Sequence, residues 1–417
     1  MTTTTTPVAP PRAPAPPVRG PWQDVPRAPE RPLHRVVARA AFRTITRRLP
    51  LRVVLPDGTT WGPSTPGAPA LRIRREAFFD RLGAHGVIGF GEGYIVGDWD
   101  ADGDLAALLL PFASRTPDRV PSGLRWLRHR YVPRQPVTEE NTIHGARANI
   151  HRHYDLSNEL FALFLDDSMT YSSALFGPGE TLEAAQVRKI ERLLDAAAVG
   201  PDRRVLEIGT GWGALAIRAA RRGALVRTIT LSREQQELAR ERIAAAGVAD
   251  RVEVALCDYR DVEGTYDAVV SVEMIEAVGD QFWPVYFRTI DRVLAPAGTA
   301  AVQAILQPHA RFLSTRGEYT WINKYIFPGG VLVSVPAVDA ILRAETGLRI
   351  AEQLRFGASY AATLREWRRR FTDHTSAVDA LGFDEWFRRM WEFYLAFCEA
   401  AFASGHLDVA QLVLRRA

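Results

Sequence analysis

Two glutamates at the end of an apolar run have the types and spacing of an acid–base pair. Glu273 and Glu276 are three residues apart in a segment that follows a predicted strand. If the turn after this strand is helical, both carboxylates project to the same side. Neighbouring carboxylates raise the pKa of one of the two, which suits that group to act as a general base. The structural alternative is that one glutamate only caps a helix.

A glycine-rich turn is the strongest sign of a ligand site. An apolar strand pattern that contains Glu207 is followed by Gly209, Gly211 and Gly213, and then by a helical pattern over residues 214–222. Strand, glycine turn and helix let a ligand lie against bare backbone in doubly wound α/β domains. The E-x-G-x-G-x-G spacing differs from the G-x-G-x-x-G of dinucleotide sites, and the glutamate suits a cationic amino-acid ligand. The segment therefore predicts a site for S-adenosylmethionine (SAM), the alternative being a tight turn without a ligand.

Alternating strands and helices position these residues. The predicted strands are 204–208, 225–230, 252–256, 268–272 and 299–304, and the helices between them are 214–222, 233–246 and 282–293. This alternation favours an α/β fold with a mostly parallel sheet and helices on both faces. Thr230 and Leu231 end the second strand, Gln235 follows in the next helix, and Asp258 and Tyr259 end the third strand. Carboxyl ends of parallel strands share one edge of a sheet, so we expect these groups to contact the ligand, although each would also suit a plain turn.

Composition and length bound the class of protein. The 417 residues suffice for two or three domains, and 47% apolar and 24% charged residues are ordinary for a globular chain. Two cysteines do not imply a disulfide framework, which favours a reducing compartment. No secretory signal and no apolar run near the ~20 residues of a membrane span are evident, so membrane contact is expected to be peripheral. The excess of arginine over lysine indicates either recognition of phosphate head groups or the codon usage of a GC-rich genome.

The predicted organisation has four parts. Residues 1–33 are rich in Thr, Ala and Pro and predict a disordered tail. Residues 34–120 predict a small α+β domain, with a helix at 34–48, strands within 51–61 and at 71–73, a glycine-rich stretch at 86–100, and helices at 76–82 and 104–114. Residues 121–140 predict a linker, in which Arg125–Tyr131 mixes cations with aromatic rings and suits either lipid phosphates or solvent.

Residues 141–417 form the predicted catalytic half. Its further helices are predicted at 158–165, 182–198, 338–346, 361–375 and 383–404. An irregular insertion at 307–335, which is rich in aromatic residues, interrupts the alternating pattern.

Six short motifs, taken together, resemble the cyclopropane-fatty-acyl-phospholipid synthase family, which includes the mycolic acid methyltransferases. The motifs are H-Y-D-x-S-N from His153, Y-S-S from Tyr171, E-I-G-x-G-W-G from Glu207, T-L-S-x-x-Q from Thr230, E-M-I-E-A-V-G from Glu273 and K-Y-I-F-P-G-G from Lys324. The resemblance extends from about residue 34 to the end. It implies a class I SAM-dependent methyltransferase of Rossmann-like fold. The glycine-rich segment Gly89 to Trp99 looks like the small domain of the synthases, which the shorter mycolic acid enzymes lack.

The resemblance implies roles for individual residues. Positions that hold the methionine part of SAM match Tyr171, Ser172, Glu207, Gly209 and Gly211, with Gly213 completing the turn. Those around the ribose match Thr230, Leu231 and Gln235, and those around the adenine match Asp258 and Tyr259. Glu276 and Tyr360 match two members of a site that holds bicarbonate in many relatives.

Three departures from the family pattern fall in that bicarbonate site. Ser173 replaces a cysteine that is common in relatives, Gln303 a histidine, and Glu273 a glycine. The first two changes remove ligands of the ion, and the third adds a carboxylate. The hypothesis is that Glu273 replaces bicarbonate as the base, which makes bicarbonate a doubtful cofactor here.

The implied reaction is methyl transfer from SAM to a cis double bond of an oleoyl-type acyl chain in a phospholipid, followed by loss of a proton. Aromatic faces stabilise carbocations, and the expected substrate-binding residues are His153, Tyr154, Tyr319, Trp321, Tyr325 and Phe327. Residues 271–287 and 321–330 look most like actinobacterial enzymes of tuberculostearic acid synthesis, which favours a methylene-branched product. Ring closure to a cyclopropane, a non-catalytic lipid-binding protein with a degenerate methyltransferase fold, and a small-molecule methyltransferase are the alternatives.

Partners and location follow from this expectation. The phospholipid would lie at the inner face of the plasma membrane, where the enzyme would bind peripherally from the cytoplasm. A homodimer and a separate reductase that acts on the product are further expectations, whereas no metal and no nucleic acid are implied.

Overall fold

The computed structural model describes residues 18, 20–25, 27–63, 67–115, 135–136, 139–142, 145 and 157–417. His153, Tyr154, most of the predicted linker and its Arg125–Tyr131 run lie outside the described residues. No helix within the described ranges is long and apolar enough to cross a bilayer.

The N-terminal unit consists of a small sheet packed with helices, as the sequence predicts. Its elements are α1 (Pro32–Thr46), β1 (Arg52–Val54), β2 (Thr60–Trp61), β3 (Ala70–Ile73), α2 (Ala77–Ile95), β4 (Trp99–Asp102) and α3 (Leu105–Ser114). The strands are ordered β2-β1-β3-β4, and only the β1–β3 pair is parallel among these described strands. The predicted helix at 76–82 is too short, because α2 continues through the glycine-rich stretch to Ile95 with a break at Gly86, where φ is +54°.

Part of the predicted tail is packed rather than disordered. Residues Pro21–Asp24 form a 3-10 turn, and Trp22 is buried with its ring 4.9 Å from that of Phe387. The prediction is wrong here because one tryptophan buries enough apolar surface to hold a short segment that is otherwise poor in large apolar residues.

The larger unit is an α/β sandwich with helices on both faces of one sheet. Its helices are α4 (Asn158–Phe164), α5 (Leu182–Ala196), α6 (Ala214–Arg221), α7 (Arg233–Ala245), α8 (Trp283–Val293), α9 (His309–Thr315), α10 (Trp321–Tyr325), α11 (Val335–Glu345), α12 (Gly357–Asp373), α13 (Thr375–Ala380) and α14 (Glu385–Ala403). Its strands are β5 (Arg204–Ile208), β6 (Leu225–Thr230), β7 (Val252–Leu256), β8 (Tyr266–Val272), β9 (Leu294–Leu306), β10 (Leu348–Arg355) and β11 (Asp408–Arg416).

The sheet of the larger unit is mixed, with the order β10-β11-β9-β8-β5-β6-β7 in the described residues. Strands β7, β6, β5, β8 and β9 are parallel, which confirms the five predicted strands and the mostly parallel sheet. The sequence did not predict β10 and β11, which pair antiparallel beside β9. A short apolar run such as that of β11 has no period that separates a buried strand from a helix.

The aromatic insertion is more regular than expected and contacts the N-terminal unit. It contains α9 and α10, and a reciprocal capping box between Thr320 and Asn323 begins α10. The Trp321 ring lies 4.8 Å from that of Phe393 on α14. Phe90 of α2 packs on the same Phe393 ring at 6.2 Å. The N-terminal unit, the insertion and α14 thus share one hydrophobic core.

Gly91 is a close-contact point in this shared core, and its replacement by alanine should destabilise the fold. A Cβ there would lie 2.5 Å from Nε1 of Trp321 and 2.9 Å from Cε1 of Phe393. Overpacking of this kind typically costs about 1–3 kcal/mol. We expect Gly91→Ala to lower the midpoint of thermal unfolding by several degrees. Gly200→Ala is the matched control, because a Cβ there meets nothing within 4 Å. Equal midpoints for the two variants would contradict the close packing.

Candidate functional site

A cavity of about 180 Å³ lies at the carboxyl ends of the parallel strands. This is the edge at which doubly wound sheets bind ligands. Most of the predicted cofactor residues line it together with Glu273, namely Tyr171, Ser172, Glu207, Gly209, Gly211, Thr230, Leu231, Gln235, Asp258 and Tyr259. The structure therefore brings together residues that are up to about a hundred positions apart in the chain.

The glycine turn places bare backbone on the cavity wall. Gly209 and Gly211 have φ of +99° and +51°, and a Cβ on Gly211 would meet no protein atom within 4 Å. Gly213 does not line the cavity. It stands at the N-terminus of α6, where a Cβ would contact Ala239 and Ile243 at 3.5 Å. Gly213 thus serves helix packing, and its contact with the cofactor stays a prediction.

Glu207 is a buried carboxylate suited to a cationic ligand. Its side chain is 4% exposed, and Oε2 has no hydrogen-bond partner among the described residues. Burial raises the pKa of Glu207 to about 8, against opposing effects of Thr228 and Lys189. An unpartnered buried carboxylate oxygen is costly, so a positively charged group in the cavity would relieve it. The unpartnered acceptor oxygen of Glu207 therefore fits the ammonium-bearing end of SAM.

The polar residues beyond the glycine turn are already paired with one another. Thr230 Oγ1 donates to Gln235 Oε1 at 2.8 Å. Both carboxylate oxygens of Asp258 accept from the Arg260 guanidinium, at 2.8 and 2.7 Å. The Tyr259 hydroxyl is buried without a partner in the described part of the chain. The predicted ribose and adenine residues thus lie together, with the Asp258 carboxylate bound to an arginine that the sequence did not single out.

The Glu273 carboxylate is the centre of a converging hydrogen-bond cluster. Its Oε1 accepts from the Ser173 backbone N–H at 2.9 Å and from Gln303 Nε2 at 2.8 Å, and its Oε2 accepts from the Tyr360 hydroxyl at 2.7 Å. Burial raises the pKa of Glu273, while these donors and the charge of Lys189 lower it again. The cluster unites four of the five predicted catalytic residues. The role of Ser173 differs from expectation, because its hydroxyl donates to the Ala174 carbonyl and only its backbone faces the carboxylate.

Glu273 itself has a backbone conformation that favours glycine. Its φ is +49°, in the left-handed region, directly after β8. The turn is therefore not helical at this residue, and the condition on which the same-side projection of Glu273 and Glu276 depended is not met.

Glu276 lies outside this cluster. It belongs to the 3-10 turn Ile275–Ala277 and accepts from the Ile305 backbone N–H through Oε1. Its Oε2 is buried without a hydrogen-bond partner among the described residues. Burial, with the charge of Glu273, raises the pKa of Glu276 to about 8. Glu276 is thus an electrostatic neighbour of Glu273, and it is not among the residues that line the cavity.

The four predicted substrate-binding aromatics of the insertion have separate surroundings. Trp321 and Tyr325 are buried toward the N-terminal unit, and the Tyr325 hydroxyl donates to Glu92 at 2.9 Å. The Tyr319 hydroxyl donates to Glu139 at 2.9 Å. The ring of Phe327 lies 6.0 Å from that of Tyr394. The Tyr394 hydroxyl is 2.9 Å from that of Tyr171, a cavity residue, so Phe327 is connected to the cavity through these two tyrosines. None of the four lines the described cavity.

Lys189 is a cavity residue that the sequence analysis did not select. It is 1% exposed, and its Nζ donates to Ser172 Oγ at 2.7 Å. Burial lowers the pKa of Lys189 to about 8, while Glu273, Asp166 and Glu207 raise it. A lysine on the apolar face of a predicted amphipathic helix was the available signal, because such a residue is rarely buried without a partner.

No cluster of metal-ligating side chains occurs among the described residues.

The buried carboxylates predict that the ligand-free protein loses stability as the pH rises. Glu207 has a folded pKa of about 8 and an ordinary value of 4.5, so the folded state binds the extra proton between these limits. Its contribution is fully present below pH 4.5 and is lost as the pH rises toward 8, at up to about 1.4 kcal/mol per pH unit. Glu207→Gln should flatten the dependence of the unfolding free energy on pH between 5 and 8, and the exposed Glu263→Gln should not. Parallel curves for wild type and Glu207→Gln would refute the assignment.

Comparison with known proteins agrees with this geometry. Residues 142–412 match the family model described as mycolic acid cyclopropane synthetase. The chain is 51% identical over 407 residues to the tuberculostearic acid methyltransferase UfaA1 of Mycobacterium tuberculosis, covering 95% of each chain. It is 34% identical over 355 residues to the cyclopropane-fatty-acyl-phospholipid synthase of Escherichia coli K12, covering 84% of this chain and 88% of the relative.

Solved structures show the same fold. The mycolic acid cyclopropane synthase CmaA1, complexed with SAH and CTAB, superposes with a TM-score of 0.60 at 29% identity, over 65% of this chain and 98% of that chain. Coclaurine N-methyltransferase, bound to N-methylheliamine and SAH, has a TM-score of 0.59 at 15% identity and supports the fold alone. The predicted class I methyltransferase fold is confirmed. The chain belongs to the mycolic acid cyclopropane synthetase family.

Proposed function

We propose that this protein transfers the methyl group of SAM to a cis double bond of an oleoyl-type chain in a phospholipid and forms a methylene-branched product. The observation that carries the proposal is the Glu273 carboxylate, held by three donors beside the cofactor cavity. The relative at 51% identity is named a tuberculostearic acid methyltransferase, which supports a methylated fatty acyl product.

SAM supplies an electrophilic methyl group. Glu207 and the backbone of Gly209 and Gly211 would hold its amino-acid end, with Ser172 fixed for that task by Lys189. Residues at the ends of β6 and β7 would hold the nucleoside. The buried wall excludes water, which protects a carbocation on the acyl chain from capture.

Glu273 is the proposed base. The double bond would attack the methyl carbon of SAM, so that a carbon–carbon bond forms while the sulfur–methyl bond breaks, S-adenosylhomocysteine leaves with that electron pair, and a cation remains on the acyl chain. After a hydride shift, the former methyl carbon loses a proton to a Glu273 oxygen, and the C–H electron pair forms the exocyclic double bond. The donors from Ser173, Gln303 and Tyr360 keep the carboxylate in place and favour its ionised form against the opposing effect of burial. The protein thus carries on its own chain the carboxylate that a bound bicarbonate would otherwise provide.

Ring closure to a cyclopropane is the second candidate. It needs the same base but no hydride shift, because the C–H electron pair of the former methyl group closes directly onto the cationic carbon to form the ring. The 34% identity to a cyclopropane-fatty-acyl-phospholipid synthase favours it. A non-catalytic lipid-binding protein is disfavoured by the assembled cavity, in which the buried Glu207 has an unpartnered oxygen.

The cellular setting of the proposal is a membrane. The substrate would be presented at the inner face of the plasma membrane, to which the enzyme would bind from the cytoplasm without spanning it. A homodimer and a separate reductase that saturates the methylene group remain part of the proposal.

Product analysis tests the reaction. Purified protein with SAM and dioleoyl phospholipid vesicles should give vinylidene protons in the olefinic region of the proton NMR spectrum. Cyclopropane protons would appear upfield of the methylene envelope instead. The two products have equal mass, so NMR and not mass spectrometry decides between them. Upfield signals alone would replace the methylene proposal with ring closure, and no SAM-dependent product would reject both.

Glu273→Gln should remove the carboxylate that accepts the proton while keeping a side chain of nearly the same size and shape in the cluster. We expect turnover to fall about 10²–10⁴-fold, the usual contribution of a general base, with little change in SAM affinity by calorimetry. Wild-type turnover should not change when bicarbonate is stripped from the buffer. Glu263→Gln is the matched control on the surface. An active Glu273→Gln variant, or a wild type that requires bicarbonate, would exclude this base.

Glu273→Gly separates a lost base from a damaged fold. Glycine suits the positive φ of this position and leaves the donors of Ser173, Gln303 and Tyr360 without their carboxylate. Added bicarbonate should restore part of the lost turnover in this variant and none in Glu273→Gln, where the side chain still fills the site. If bicarbonate does not restore turnover in a Glu273→Gly protein that is folded and binds SAM, the hypothesis that Glu273 takes the place of bicarbonate is contradicted.

A further inference from the structure

The outer face of α1 exposes apolar side chains to an unusual extent. Leu33, Val36, Val37 and Ile45 are 76%, 65%, 60% and 55% exposed. Leu33, Val36, Val37 and the exposed Ala40 share one face and form what we call the α1 stripe, whereas Ile45 lies about 120° around the helix from Leu33. The opposite face is an ordinary core face, since Phe42 is buried with its ring 5.2 Å from that of Phe78. Large apolar residues at helical spacing on an outer face indicate a surface that something else covers.

A basic groove adjoins the C-terminal end of this helix. The groove has a volume of about 800 Å³ and is lined by Arg43, Arg47, Arg48, Trp61 and Arg115, which we call the arginine groove. The Arg43 guanidinium lies 5.4 Å from the centre of the Trp61 ring. Within the described chain, none of these four arginines forms an ion pair, although Arg35 and Arg39 earlier on α1 pair with Asp80 and Glu76.

Two helix ends contribute to this groove. Cations near a helix C-terminus are favourable, which is consistent with arginines at the end of α1. Arg115 is the C-cap residue of α3, so the C-termini of two separate helices place their arginines around one groove. Guanidinium groups bind phosphate with paired hydrogen bonds, and indole rings suit the boundary between head groups and acyl chains.

A second copy of the chain is a poor occupant of this face. Helix α1 contains Arg35, Arg39 and Arg43 and no acidic residue. Arg35 and Arg39 are paired with Asp80 and Glu76, but Arg43 has no ion pair among the described residues, and the α1 helix of a second copy offers it no carboxylate. An anionic surface offers the complementary charge, and its apolar interior accepts the stripe.

We propose that the α1 stripe and the arginine groove dock the protein on an anionic phospholipid bilayer, with the stripe in the interface and the groove on lipid phosphates. This inference rests on the proposed phospholipid substrate and names the surface that brings the enzyme to it. The basic groove and the apolar stripe contribute additively to the free energy of membrane binding. Loss of either should therefore weaken binding to the bilayer and leave the cofactor cavity unchanged.

Vesicle sedimentation with the full chain tests the surface without any catalytic step. Wild type should bind vesicles of phosphatidylglycerol and phosphatidylcholine, and binding should weaken with salt. The stripe variant Leu33→Gln/Val36→Gln/Val37→Gln should lose at least tenfold in partition coefficient. The groove variant Arg47→Gln/Arg48→Gln should lose about tenfold on anionic vesicles and little on neutral ones. The matched controls are Leu225→Gln, another exposed leucine, and Arg221→Gln/Arg415→Gln, which removes the same charge elsewhere.

Turnover separates this inference from the proposed function. Both variants should lose turnover on dioleoyl phospholipid vesicles and keep it on the same lipid in detergent micelles. An inactive wild type that still binds vesicles through these residues would reject the reaction and leave the docking surface intact. Three outcomes would overturn the docking surface: wild type that does not bind anionic vesicles, variants that bind like their controls, or a change of oligomeric state in the stripe variant, which would make this face a contact between copies.

Discussion

The need to satisfy one buried carboxylate constrains much of this structure. Glu273 lies at a left-handed backbone position, a conformation that costs a non-glycine residue of order 1 kcal/mol, and desolvation raises its pKa. Donors from three distant parts of the chain offset this cost: the segment before α5, strand β9 and helix α12. Each of these elements must be in place for the carboxylate to be tolerated, so the geometry of the base and the packing of the sheet stabilise each other.

The balance of buried charge in the cavity couples the proposed base, Glu273, to the cofactor site. Lys189 is the buried cation among the cavity residues, and it lies in the field of Glu207 and Glu273 while donating to Ser172. One ammonium cannot fully compensate two buried carboxylates, which is consistent with the raised pKa of Glu207 and its unpartnered oxygen. A cationic cofactor would supply the missing positive charge. Cofactor binding and ionisation of Glu207 are therefore linked, and the charge on Glu273 depends on both.

The parts that could be predicted from sequence are those specified by local pattern. The E-x-G-x-G turn and the five alternating strands depend on residues close together in the chain, and they are as expected. The convergence of Ser173, Gln303 and Tyr360 on Glu273 came from family resemblance, because no local period brings these residues together. Pattern failed where tertiary contacts decide: β11 is an apolar run without a period, and Lys189 owes its importance to neighbours far along the sequence.

The insertion carries this interdependence out to the N-terminal unit. Glu92 on α2 is fully buried and accepts hydrogen bonds from Lys324 and Tyr325 of the insertion. Phe327, two residues after Tyr325, packs on the ring of Tyr394. The Tyr394 hydroxyl in turn forms a hydrogen bond with that of Tyr171, which lines the cavity. The CmaA1 structure matches 65% of this chain, so a catalytic domain of this family folds with about a third fewer residues than are present here. The additional residues are nevertheless bound into the same core by aromatic contacts and by an ion pair between the buried Glu92 and the partly exposed Lys324. A unit attached in this way cannot move freely with respect to the cavity, so a bilayer bound at α1 would hold the cavity at a fixed orientation to the acyl chains it must receive.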